Sequence, residues 1–313
     1  MPFVPKTQPG MGKINTVVLG TGSGAIALGG QRALPFYHFD APMENRPKIG
    51  VEISDDLSGW DVPGLRAFYA GCHTMAERAR RAQTIEEAAF LCLRFAGADP
   101  AGANRTVAEC AADAEAVAEG CDMPIAVMGC GNMEKDEALF SGIARALAGR
   151  NVLFLSARSE NYQTLGETVV LSRGQKLAAE TADDVNLAKQ LNIMLKGMAV
   201  PAESLVMNLG TAAVGYGYEY LASTLDRVRH AALFLDDEDL QMPIVLPVSP
   251  ETWSVKESTA SEEDEPAWGS REERGIQMEI VTAAAGLAGG ADGVILRHPA
   301  AIATVGRLIA ELA

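Results

Sequence analysis

From about Lys48 the chain alternates short aliphatic or β-branched runs with longer stretches whose apolar residues recur at helical spacing. That rhythm predicts βα units laid on a parallel sheet. The runs read as strands are Lys48–Ser54, Ala88–Phe95, Pro124–Met128, Asn151–Ser156, Thr168–Leu171, Ser204–Asn208, Pro243–Val248 and Gly293–Leu296. Between them, Thr74 with Glu77 and Thr106 with Glu109 have the spacing of capping boxes, so each predicts a helix start. Gly120, Gly149 and Gly197 are read as helix stops. Further helices are expected over Glu134–Ala148 and Asp183–Lys196, through Leu221, Leu225, Val228 and Leu235, and through Ile276, Ile280, Ala284 and Leu287. Pro299 suits the first turn of a last helix. Eight such units close a barrel, so the fold expected is α/β, a TIM (β/α)8 barrel.

Two stretches break the rhythm. Thr16–Leu19 and Ala25–Leu28 flank the glycine-rich Gly20–Gly24 and predict a β-hairpin extension that plugs the N-terminal end of the barrel. Residues 1–46 are therefore assigned to the hairpin and its lead-in, and 47–313 to the barrel. The glycine cluster superficially matches a dinucleotide loop, but the strand-like Ala25–Leu28 stands where such a loop needs a helix N-terminus. Pro250–Gly269, carrying the acidic run Glu262–Glu265, is expected as a long functional or mobile loop whose charges form a solvated face.

Composition narrows the partners. The 313 residues carry a formal net charge of −15, which argues against nucleic acid and against an anionic membrane surface. No uninterrupted apolar run is long enough to span a bilayer, and the N-terminus has no apolar core of a signal peptide. Five scattered cysteines without a CxxC pair read as reduced thiols in a cytoplasmic protein, with no metal or iron–sulfur spacing.

In a barrel of this kind the side chains at strand C-termini form the working face. Those positions hold Glu52, Asp55 and Arg94; then Gly129, Cys130, Gly131 and Asn132; then Ser156, Arg158, Asn208, Gly210 and Thr211. Ser249, Glu251, Trp253, Arg297 and His298 complete the ring. Glu52 and Asp55 have the chemistry of general acids or bases, and equally of acceptors for loop amides. Cys130 is placed like a nucleophile but has no nearby histidine in sequence, so a small residue under a close approach is the simpler reading. His298 suits either a functional role or a structural hydrogen bond. His38, in an aromatic segment, reads as a packed histidine. No catalytic set emerges.

Long blocks of the sequence resemble a known family. Gly12–Leu28 running on to Asp55, Gly129–Asn132 with Lys135 and Asp136, and Gly215–Tyr220 carry the resemblance, as do Asp239–Pro243, Trp268–Glu279 and Arg297–Pro299. They resemble the small (delta) subunit of the corrinoid/iron–sulfur protein of acetyl-CoA decarbonylase/synthase, in the Wood–Ljungdahl pathway. The sequence departs from the family pattern at Met278, where a tryptophan is frequent, and at Gly97–Pro100, where a hydroxyl residue commonly precedes Asp-Pro.

The resemblance implies a heterodimer with a larger subunit that holds the corrinoid (a cobalamin) and a 4Fe–4S cluster, neither bound by this chain alone. It implies a methyl carrier meeting a methyltetrahydropterin:corrinoid methyltransferase and acetyl-CoA synthase transiently. The residues expected to face the corrinoid are Gly129, Cys130, Gly131, Asn132, Asn208, Gly210, Thr211, Arg297 and His298, with none catalytic. The alternative is a pterin-binding methyltetrahydrofolate:corrinoid methyltransferase on the same barrel, which would grip its pterin with Asp and Asn side chains.

Overall fold

The computed structural model describes residues 4, 6–8, 10–37 and 40–313; His38 lies outside them. Two antiparallel strands, β1 (Val17–Leu19) and β2 (Ile26–Leu28), precede the barrel. The barrel strands are β3 (Lys48–Ser54), β4 (Ala88–Arg94), β5 (Ile125–Met128), β6 (Leu153–Ala157), β7 (Lys176–Glu180), β8 (Leu205–Asn208), β9 (Val245–Pro247) and β10 (Gly293–Leu296). They pair in parallel in the order β8-β7-β6-β5-β4-β3-β10-β9, and a single bridge between Met207 and Ile244 closes the ring. The helices are α1 (Pro63–Phe68), α2 (Met75–Ala82), α3 (Val107–Gly120), α4 (Met133–Ala146), α5 (Tyr162–Leu165), α6 (Val185–Gly197), α7 (Tyr218–Phe234), α8 (Val248–Thr252), α9 (Lys256–Thr259), α10 (Arg271–Ala288) and α11 (Pro299–Leu312).

Alternation along each strand sorts the core into two layers. Phe90, Cys92, Ala126, Leu153, Leu155, Ala178, Val206, Val245 and Ile295 fill the barrel. Their neighbours, such as Leu91, Leu93, Val127, Phe154 and Leu177, face the helices. Gly50 makes room inside, since a Cβ there would lie 2.4 Å from the Phe90 ring. The hairpin is the plug that the sequence predicts. Val17, Leu19 and Leu28 join the barrel-interior cluster while Val18 stays exposed. Asn151, just before β6, receives the Gly20 amide on its carbonyl at 2.9 Å and donates its side-chain amide to the carbonyl of Val18 at 2.7 Å.

Both capping boxes form, at Thr74 with Glu77 and at Thr106 with Glu109. Two strand expectations need correction. Thr168–Leu171 is not a strand: it lies within the π-helical segment Gly166–Leu171 that continues α5, and the strand is Lys176–Glu180. The Thr168 hydroxyl donates back to the Thr164 carbonyl at 2.7 Å, and Leu165, Val169 and Val170 are buried together. Burial on a helical face thus overrides the β-propensity of Thr-Val-Val. α3 and α6 end at Gly120 and Gly197 as expected, but neither glycine is left-handed: α3 leaves through extended Cys121, and after α6 the left-handed residue is Ala199. The strand expected over Pro243–Val248 is shorter, since Val248 already begins α8. The segment after β9 contains the short helices α8 and α9 and is tied to α10 by side chains: Arg274 donates to the carbonyls of Glu257, Ala260 and Gly269, and Arg271 to that of Ser258. Within its acidic run, Glu265 pairs with Lys256 at 2.7 Å.

Candidate functional site

An open cavity of about 320 Å³ lies at the C-terminal mouth of the barrel. Its wall over β5 and α4 is the loop Gly129–Asn132, built by one carboxylate. Asp136, in the first turn of α4, accepts the amides of Cys130 and Gly131 at 2.8 and 2.9 Å. The loop comes so close that a Cβ on Gly129 would sit 2.1 Å from an Asp136 oxygen, and Gly131 is left-handed at φ +94°. Asn132 caps α4, accepting the Lys135 amide at 3.0 Å. The Cys130 thiol donates to Asp136 at 3.2 Å, and burial, reinforced by that carboxylate, pushes its pKa up to about 11. A thiol so held is protonated at neutral pH and is no nucleophile.

The opposite wall comes from β6, β7 and β8. Asn208 donates its side-chain amide to the Ser156 hydroxyl at 3.1 Å, and its side-chain oxygen accepts the amide of Gly210, itself left-handed at φ +81°. Glu180 takes the Arg158 guanidinium at 2.9 Å. Thr211 lines the cavity, and among the described residues its buried hydroxyl has no hydrogen-bond partner. Glu251 closes the rim, and burial lifts its carboxyl above the ordinary range.

Gly129, Cys130, Gly131, Asn208, Gly210 and Thr211 therefore come together around one cavity, with Asn132 bordering it as a helix cap. Arg297 and His298 do not line it. Arg297 is buried against Glu52 at 3.1 Å, and its guanidinium stacks 4.8 Å from the centre of the Trp60 ring. Burial would raise the Glu52 pKa, but the charges of Arg297 and Arg94 overcome this and hold it below the usual carboxylate range. The His298 ring caps α11, its Nδ1 accepting the Ala300 amide at 3.1 Å. That leaves Nε2 to carry the proton toward Glu272, at 3.1 Å. Burial lowers the His298 pKa, so the neutral ring is the resting form. Asp55, also at a strand end, is a loop acceptor, taking the Gly97 amide at 2.8 Å and Arg105 at 2.9 Å.

Sequence reasoning did not place Asp136 or Glu180 at the site. Asp136 was visible only as part of a motif, because its function is to fold a loop six residues upstream. Glu180 was lost with the misplaced fifth strand. The described residues contain no group of three or more His, Cys, Asp or Glu placed to hold a metal ion. Their helices include none long and apolar enough to cross a membrane.

A family model described as the CO dehydrogenase/acetyl-CoA synthase delta subunit matches residues 16–264. The chain is 30% identical over 295 residues to the acetyl-CoA decarbonylase/synthase complex subunit delta 2 of Methanosarcina acetivorans, covering 92% of this chain and 66% of that protein. It is 31% identical over 316 residues to the subunit delta of Archaeoglobus fulgidus, covering 97% and 69%. The chain thus spans just under two thirds of the first of these relatives. Among solved structures, a Yersinia pestis dihydropteroate synthase with a pterin–sulfa conjugate aligns with a TM-score of 0.55 at 12% identity, over 84% of this chain and 93% of its own. A Xanthomonas albilineans dihydropteroate synthase with 4-aminobenzoic acid gives 0.56 at 13%, over 85% and 93%. At that identity the likeness shows the barrel fold alone.

Proposed function

The chain belongs to the CO dehydrogenase/acetyl-CoA synthase delta subunit family, and from that premise we propose that it is the barrel subunit of a corrinoid/iron–sulfur methyl carrier. In this reading the mouth of the barrel caps a corrinoid held by a larger partner subunit. The observation that carries it is the makeup of the cavity: three backbone-lined glycine positions, a side-chain amide and an unpartnered buried hydroxyl around a shallow volume. About 320 Å³ is at the low end for a site that encloses a drug-sized ligand. It suits one face of a flat macrocycle, or a substituent projecting from it, better than the whole ring.

The residues present fit that role. Gly129, Gly131 and Gly210 present backbone without side chains, which allows a rigid plane to approach closely. The Thr211 hydroxyl would gain the partner it lacks, and Asn208 could share its amide with an amide-bearing substituent. The corrinoid, when bound, supplies the methyl-carrying cobalt. This chain's part is to cover it and exclude water and oxidants. The ionic groups around the cavity are largely committed to each other, Arg158 to Glu180 and Arg94 to Glu52. They therefore shape the face instead of moving protons.

Exposed aromatics support a partner at the same end. Tyr216 and Tyr220, after β8, and Trp268, after β9, remain exposed, and the Tyr216 hydroxyl donates to Glu257 at 2.6 Å to tie the two loops together. Tyr and Trp are the side chains enriched in interface cores. Affinity purification from native cells tests the proposal: a coloured complex containing cobalt and iron is expected, and a colourless lone chain would overturn it. The purified chain is also expected to show no methyl transfer from methyltetrahydrofolate to free cob(I)alamin; turnover at catalytic rates would favour the methyltransferase alternative.

A further inference from the structure

A second cavity, of about 280 Å³, lies on the outside of the barrel between α1 and α2 and the connection that precedes them. It shares no lining residue with the mouth. Its walls are apolar and aromatic, from Leu57, Trp60, Leu65 and Tyr69, with Cys72 beside them. At its rim Asp61 and Arg66 neutralise each other in an exposed pair. Arg78 completes the lining, and it is only 5% exposed.

Arg78 is the anomaly. One terminal nitrogen donates to the Ser54 carbonyl at 3.1 Å; among the described residues its buried Nε has no partner and no carboxylate is within ion-pair distance. Asp55 and Asp113, whose charges reach it, are both committed to Arg105, at 2.9 and 2.7 Å. Tyr69 lines the same cavity, and among the described residues its buried hydroxyl likewise has no partner. Burial raises the Tyr69 pKa, so its phenol keeps its proton at neutral pH; burial lowers that of Arg78, but a guanidinium is basic enough to stay charged there all the same. Buried charges are ordinarily paired, and leaving one without a counter-ion is costly.

We propose that this cavity is a binding site for a small monocarboxylate with an apolar or aromatic body. One guanidinium against neutral walls balances one negative charge, which favours a carboxylate over a doubly charged phosphate ester. A planar carboxylate matches the fork of a guanidinium and accepts a phenolic hydroxyl on a free lone pair. Trp60, Tyr69, Leu57 and Leu65 would cover the body of the ligand.

Benzoate is the probe, titrated calorimetrically into the full chain, with benzamide as its neutral isostere and inorganic phosphate as a generic anion. Saturable benzoate binding is expected, with benzamide and phosphate each at least ~10-fold weaker. Tyr69→Phe, which removes only an unpartnered hydroxyl and leaves the fold intact, is expected to weaken benzoate by about tenfold; Arg78→Gln should weaken it by at least as much. The proposal is overturned if benzoate does not saturate, if benzamide or phosphate binds equally well, or if Tyr69→Phe leaves the affinity unchanged. Because Tyr69→Phe is decisive by itself, a failure of Arg78→Gln to fold does not shelter the proposal.

Discussion

Two fully buried carboxyls flank Arg297, and their surroundings drive them in opposite directions. Glu52 receives the guanidinium itself, and its pKa is held low by Arg297 and Arg94 despite burial. Glu279 receives the backbone amides of Arg297 and His298, but burial dominates and raises its pKa to about 7 from 4.5. For Glu52 the folded value is depressed, so the stability it contributes is present above its unfolded pKa and is lost as pH falls. For Glu279 the folded value is raised, so its contribution is complete below about pH 4.5 and is lost as pH rises through about 7. Glu279→Gln should therefore flatten the pH dependence of unfolding free energy between those limits, by on the order of 3 kcal/mol. Urea titrations across that range check it; a slope equal to the parent's would refute it. Glu52→Gln should destabilise the chain by about 3–5 kcal/mol at neutral pH, because it leaves Arg297 buried without its charge partner. A change below about 1 kcal/mol in the same measurement would contradict the pairing.

The hairpin shows how an element can be clear in outline while its role depends on packing. Its alternation and glycine turn are local signals, and they place both strands within a residue of where they form. Its energetic weight comes from inserting Val17, Leu19 and Leu28 among barrel-interior side chains. Leu19→Ala should cost about 2–5 kcal/mol, as large-to-small changes in a tight core do, whereas Val18→Ala at the exposed position should cost under about 0.5 kcal/mol. Equal effects at both sites, read by denaturant midpoint, would show that the hairpin is not seated in the barrel. The lost fifth strand gives the complementary case. Thr168-Val169-Val170 advertises a strand and Lys-Leu-Ala-Ala-Glu does not, because β-propensity is a weak proxy for which face gets buried.

At the scale of the whole molecule the barrel has a seam. β3 and β4 are paired at six positions, whereas among the described residues β8 is joined to the residue just before β9 by the one bridge of Met207 with Ile244. Hydrogen exchange under native conditions should find the Met207 amide, bonded to Pro243, less protected than those of Leu91 and Ile53. Uniform protection around the ring would argue against opening at that point. The sequence by itself determined the number of βα units, the capped helix starts, the plug and the glycine-rich loop after β5, because each is written in local periodicity or in residue types with a fixed conformational use. It also placed the candidate face at the strand C-termini, since every parallel barrel presents that end the same way. Only the tertiary structure decided which of those polar residues meet. Arg297 and His298 sit at a strand end like Asn208, yet a carboxylate 245 residues away from Arg297 and a helix terminus claim them, whereas Asn208 is turned to the mouth. Distances of that kind along the chain are set by closing the ring, and no local pattern records them.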